Sequence, residues 1–248
     1  MLSHNAGLAA GNCRVEYLGC IDKMLLKKLV KMAVIAVDSG KCWIRMMLAD
    51  IDVDQIISLQ IEATERWHSE PLVCTGEGLL WLVCHQHSFN FQLWHQEDIA
   101  RSPQAAPEAI AEVKRKIDQL NQQRNDAIER LDDWLAEQLL KGNVKPQQDA
   151  RLNTETPGSA IDRLSIMALR IYHYDEQLRR ESVESMHRQR VLHRLVLCRQ
   201  QHADLSQSLK ELLSDIIRGL RRHKTYRQLK MYNDPGLNPY LYERQNGE

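Results

Sequence analysis

Between Pro107 and Gly142 the chain contains neither glycine nor proline, and apolar residues recur through that stretch at Ile110, Val113, Ile117, Leu120, Ala127, Leu131, Trp134 and Leu135. Steps of three, four and seven residues put these side chains on one stripe of an α-helix. Proline is tolerated at the first helical position and glycine suits the end, so the helix has both its limits written in the sequence. A stripe of that length must be buried against other helices. The rest of the chain agrees with this. The 248 residues include only 11 Gly and 7 Pro, and the stretches between them are rich in Leu, Ala, Glu, Gln, Lys and Arg, which favour helix over strand. The expected fold is all-α: a bundle of about five main helices, with long antiparallel helices and an irregular C-terminal tail.

The remaining helices follow from the same signals. Apolar residues at Ile51, Ile56, Leu59 and Ala63 mark a first helix over 50–70, ending before Pro71. Gly76 and Gly78 break the chain, and a second helix is expected from Leu79 to Ile99. A polar linker over 142–155 leads to Thr156-Pro157, which reads as an N-cap followed by proline in the first turn. That fourth helix extends to about Arg180. A fifth is expected from Glu184 to Leu220, with a seam at Leu195, Cys198, His202, Leu205, Leu209, Leu212 and Ile216, where His202 reads as a core histidine with its hydrogen bonds satisfied.

Residues 1–46 stand apart, with seven Lys/Arg against three Asp/Glu and half of all cysteines. They are expected to be a non-core extension or the product of a misassigned start, the natural start being Met46 or Met47, so that 47–248 forms one helical-bundle domain. The six cysteines have no CxxC spacing, and neither a zinc site nor a disulfide framework is indicated. A reducing cytoplasm fits that usage. No apolar run is long enough to span a bilayer. With a formal net charge of zero the chain has no global field to attract nucleic acid. The basic segment Arg221 to Lys230 is expected to complement a helix end, and no nucleic-acid partner is expected.

Polar residues on apolar stripes supply the candidate site. On the third helix Arg124 projects into the middle of the stripe, with Asn121 at its edge and Asn125 at its shoulder. A buried guanidinium without partners costs several kcal/mol, so Arg124 must be paired. Asp162 on the fourth helix is the economical partner. On the second helix His87, Asn90, Trp94, Asp98 and Arg101 project together, and His95 lies three residues before Asp98. That spacing can present two ligands to one metal. A complete site needs another ligand from a second helix, no HExxH or ExxH pair supplies one, and no metal site is assigned. His95 and Asp98 are the candidate acid or base. The free amides at Gly158 and Ser159 can attract phosphate or carboxylate, or be capped by Thr156 alone.

The segments WHQEDIAR at 94–101, IDQLNQQRNDAIE at 117–129, LNTETPGSAIDRLSIMALRIYH at 152–173 and YRQLKMYNDP at 226–235 resemble, in order, a bacterial family catalogued as domain of unknown function 4254. The resemblance covers roughly residues 50–242. It implies a mostly helical cytoplasmic protein, often encoded beside glycosyltransferases of cell-surface polysaccharide assembly, and brings no catalytic residues with it. Two functional expectations result. In the first, Asp98, Arg101, Asn121, Arg124, Asn125, Asp162, Lys230 and Asn233 bind an anionic small molecule such as a phosphorylated sugar or sugar nucleotide. In the second, the chain is a non-enzymatic interaction protein, a homo-oligomer or a partner docked on a glycosyltransferase, and the polar layer is structural.

Overall fold

The computed structural model describes residues 51–181, 184–229 and 236–237. Residues 1–46, Lys230 and Asn233 therefore lie outside the described residues. Among the described residues five helices follow in order: α1 Val53–Trp67, α2 Gly78–Ala100, α3 Pro107–Lys141, α4 Pro157–Arg179 and α5 Ser185–Ile217. Among the described residues there is no β-strand, only an isolated bridge between Arg151 and Arg221. The all-α bundle expected from the sequence is the observed fold.

The helix limits have local causes. Asp52 caps α1 by accepting from the amides of Asp54 and Gln55. At the end of α3 Gly142 keeps right-handed helical angles, and the left-handed residue is Asn143, with φ 50°. The Asn143 amide donates to Leu140 and the Val144 amide to Leu139, the paired bonds that close a helix C-terminus. Gly219 does the same for α5 with φ +76°, and a Cβ there would lie 2.6 Å from the Lys145 carbonyl oxygen. That contact ties the end of α5 to the linker after α3.

α2 is the central element. From Val83 to Leu93 it is buried on nearly every side, with α3 on one flank and α4 and α1 on others. The main apolar core joins Val53 and Ile56 of α1, Val83 of α2, Leu131 and Leu135 of α3, Leu164 of α4 and Leu209 and Leu213 of α5. A smaller cluster, Phe89, Leu93, Ile117, Leu120 and Ala127, seals α2 against α3.

Two readings from the sequence change. Cys74 and Cys84 form a disulfide that ties the α1–α2 connection onto the second turn of α2, although their ten-residue spacing matches no framework pattern. The cause is topological, because the loop after α1 doubles back over the start of α2. His202 is buried as expected, but its Nε2 has no hydrogen-bond partner.

Candidate functional site

Six polar residues from three helices meet in the middle of the bundle. Gln60 and Thr64 come from α1, His87 and Asn90 from α2, and Asp162 and Ser165 from α4, and all six are buried. Gln60 and Thr64 lie four residues apart on the buried stripe of α1 itself, between Ile56 and Ala63 or Trp67. Helical geometry therefore carries them inward with their apolar neighbours.

The hydrogen bonds fix the protons. Thr64 Oγ1 donates to the Gln60 carbonyl at 2.8 Å, which leaves it to accept from His87 Nε2 at 3.0 Å. His87 is then the Nε2–H tautomer, and its Nδ1 accepts the Ser165 hydroxyl at 2.7 Å. Ser165 Oγ in turn accepts from Asn90 Nδ2 at 2.9 Å. Burial pushes the His87 pKa down to about 3, outweighing the opposing hydrogen bond with Gln60. The ring stays neutral and cannot carry a proton in and out at ordinary pH. A serine donating to a histidine resembles half of a nucleophilic site, yet both residues are sealed from solvent.

Asp162 ends the chain of bonds. Its Oδ1 accepts from Gln86 Nε2 at 2.6 Å and from Asn90 Nδ2 at 2.9 Å, and Arg124 Nε lies 3.9 Å away. Burial raises the Asp162 pKa, opposed by the Arg124 charge and the Asn90 hydrogen bond. Arg124 and Asp162 are thus neighbours, with side chains 28% and 12% exposed. Arg124 Nε is buried without a hydrogen-bond partner, as are Oε1 of Gln60 and of Gln86.

The other expected site residues separate from this centre. Asn125 is buried beside Arg124 and Asn121 is half-buried. Asp98 and Arg101 are exposed, and Arg101 pairs with Glu97 at 2.8 Å on the surface. They share the face of His87 in projection but stand about 16 Å or more further along α2, at 1.5 Å per residue, where the helix has left the core. At the start of α4 the Gly158 amide donates to Asp132 Oδ1 at 2.8 Å and the Ser159 amide to Thr156 Oγ1 at 3.1 Å. The buried Asp132 carboxylate, its pKa raised by burial, occupies the place of an external anion. Gly158 is required there, since a Cβ would lie 2.7 Å from the Ile128 carbonyl oxygen.

A second polar group lies where α1 ends. His68, His95 and His173 come from α1's C-cap, α2 and α4, among Trp94, Phe91 and Tyr172. His95 was singled out by the sequence; its two companions become visible only when the helices are assembled. The basic segment after α5 lies along α3. Arg227 bonds Glu129 and Asp133, His223 bonds the Asp132 carbonyl and Arg222 the Gln148 carbonyl, so several of its donors are held by the chain itself. No helix among the described residues is long and apolar enough to cross a membrane.

A family model described as a protein of unknown function (DUF4254) matches residues 81–225, more than half of the chain, and the protein belongs to that family. The match includes Arg124, Asp162, His95 and His173 and leaves out α1, the source of Gln60, Thr64 and His68. No curated protein and no solved structure matches the chain.

Proposed function

We propose that this chain is a non-enzymatic interaction protein whose interior polar layer sets the register of its helices and whose partner docks on the outer face of α5. The state of Asp162 carries the reading. Its buried oxygen already takes two amide donors, with a guanidinium beside it, so the most charged interior position is filled by the chain's own side chains. Buried polar residues that pair only with one another are best attested as devices for alignment.

The outer surface supports an interaction role. From Ser185 to Ala203 the sequence has Arg188, Arg190, Arg194 and Arg199 and no acid. Opposite the buried stripe of Val191, Leu195 and Cys198, that part of α5 exposes Leu192, Val196 and Leu197 at 50, 58 and 47%. An apolar face edged with arginine suits a protein surface edged with Asp and Glu, because arginine pairs with carboxylates in two-point contacts. The family resemblance supplies the partner class, a glycosyltransferase of cell-surface polysaccharide assembly on its cytoplasmic side.

A second reading has one observation in its favour. The unpartnered Arg124 Nε, with Asn121 and Asn125 nearby, suits the phosphate of a sugar nucleotide. Biolayer interferometry on the full chain separates the two, with a glycosyltransferase of cell-surface polysaccharide assembly, UDP-glucose and anionic vesicles as analytes. The expected result is binding of the enzyme, weakened at least tenfold by Arg190→Glu with Arg194→Glu. UDP-glucose binding lost in Arg124→Met, or binding of the vesicles alone, would overturn the docking reading.

A further inference from the structure

Where α1 stops, α2 and α4 run on beside its end, and each of the three contributes one histidine to the same place. Ring centres of His68 and His95 are 5.2 Å apart, those of His68 and His173 5.2 Å, and those of His95 and His173 6.0 Å. A tetrahedral zinc ion holding imidazole nitrogens at about 2.0–2.1 Å places the ring centres about 5 Å from one another. The three rings therefore stand at the mutual spacing of ligands around one ion.

The protons point the same way. His68 Nδ1 lies 2.6 Å from the Thr64 carbonyl oxygen, which can only accept, so Nδ1 carries the hydrogen. His173 Nδ1 lies 3.1 Å from the Glu176 carboxylate and donates to it by the same logic. In both rings the in-plane lone pair is left on Nε2, and in both that atom is buried with no partner. A carbonyl or carboxylate on one imidazole nitrogen and an open lone pair on the other is the arrangement that orients metal-binding histidines. Capping the end of α1 explains Nδ1 of His68. It leaves the Nε2 of both rings without a purpose.

We propose that His68, His95 and His173 form a three-histidine site for a divalent transition-metal ion of the zinc class, closed by water or by Asp98, one turn beyond His95. The ligand must accept electron pairs, since the open atoms are lone pairs, and imidazole sets select zinc and its neighbours over magnesium or calcium. His95 is half-buried, with its ring edge-on to Phe91 at 4.6 Å and beside both other histidines. His68 is stacked on Tyr172 at 4.0 Å and His173 on Trp94 at 4.6 Å, which holds each ring by its face and leaves its edge open. As they stand, the three rings meet edge to face at 72°, 73° and 79°, and among the described residues no group of three His, Cys, Asp or Glu is already gathered to hold a metal. Loading draws the nitrogens together by small turns about χ2, a soft torsion with broad wells, that keep the Nδ1 hydrogen bonds and the ring stacks. The site shares no residue with the Arg124–Asp162 layer or with the outer face of α5.

The test uses the full chain after chelation and dialysis, with zinc and then cobalt as the probes. One zinc per chain is expected by equilibrium dialysis, and cobalt should give the intense visible bands of a tetrahedral ion. His68→Gln, His95→Gln and His173→Gln should each weaken binding at least tenfold, and His85→Gln, on the part of α2 that faces Trp81, should not. Binding should weaken in acid, because protons compete for the same lone pairs. In the unmutated chain, nitrogen NMR of the histidine rings should show zinc shifting the Nε2 signals of these three residues, whether or not the variants fold. Failure to bind zinc stoichiometrically, full affinity in the triple glutamine variant, or zinc-induced shifts confined to other histidines would each overturn the site.

Discussion

The middle of the bundle and the end where α1 stops are both built from α1, α2 and α4, and both are rich in histidine and aromatic rings, but they differ in which atoms are left over. In the middle both nitrogens of His87, the Ser165 hydroxyl and Asp162 Oδ1 all have protein partners. The buried atoms without partners there are two neutral amide oxygens and one guanidinium nitrogen. At the end they include the basic imidazole nitrogens Nε2 of His68 and of His173, and between the two regions the Trp67 indole Nε1 is also buried without a partner. A group whose reactive atoms are bonded inside the chain holds structure, and one whose lone pairs are open is available to something else. The distinction is made by hydrogen-bond partners and not by residue type.

If that distinction is right, truncation in the middle must be costly. His87→Ala removes a fully buried ring and leaves the Ser165 hydroxyl without its acceptor, so a loss of about 3–5 kcal/mol is expected, on the scale of large-to-small core substitutions. Urea denaturation followed by circular dichroism measures it. A loss below about 1 kcal/mol would erase the contrast between the two regions.

Acid should find the middle through the same residue. Above pH 6.5 His87 is neutral in the folded and unfolded chain, and its pKa contributes nothing to the pH dependence. Between 6.5 and about 3 the unfolded chain takes a proton that the folded site refuses, so stability present above 6.5 is lost as pH falls. The slope for this one group is about 1.4 kcal/mol per pH unit, or about 2.7 kcal/mol by pH 4.5. Melts of the parent and of His87→Gln over pH 4.5–7.5 should therefore differ in slope, the variant being flatter. Equal slopes would mean that the ring is not held neutral by the fold.

At the end of the bundle the effect should be small. His173 is partly exposed and its Nε2 supports nothing in the chain, so without added metal His173→Gln should change stability by no more than about 1 kcal/mol. A thermal melt with metal chelated is sufficient to see this. A loss matching that of His87→Ala would make the end another structural layer.

How much of this could be read from the sequence depends on which signal was available. Helix order and type were legible because Pro107, Pro157, Gly76 and Gly78 lie beside clear apolar periodicity. The pairing of Arg124 with Asp162 was also legible, since a charge on an apolar stripe needs an opposite charge on another stripe. On α1, apolar residues alone put Leu59 on the buried stripe, whereas Gln60 and Thr64 are the residues fully enclosed and Leu59 is half-buried. A stripe read as Val53, Ile56, Gln60, Ala63, Thr64 and Trp67 would have found them, because their spacing is helical even though their chemistry is not apolar. Asp98 and Arg101 fell with His87 in projection because an angle carries no information about height along the axis. His68 had no sequence signal; it reaches His95 and His173 only through the packing of three helices.

The most direct test of the central claim is the stability of Arg124→Met, compared with the parent by urea denaturation and with mass checked by light scattering. Methionine keeps the length of the side chain and removes its charge. If the middle is a self-contained structural layer, the variant leaves the buried Asp162 carboxylate with its two amide donors but without a countercharge and loses about 3–5 kcal/mol. Unchanged or higher stability would contradict the account, because it would mean that Arg124 is held ready for a ligand at the expense of the fold.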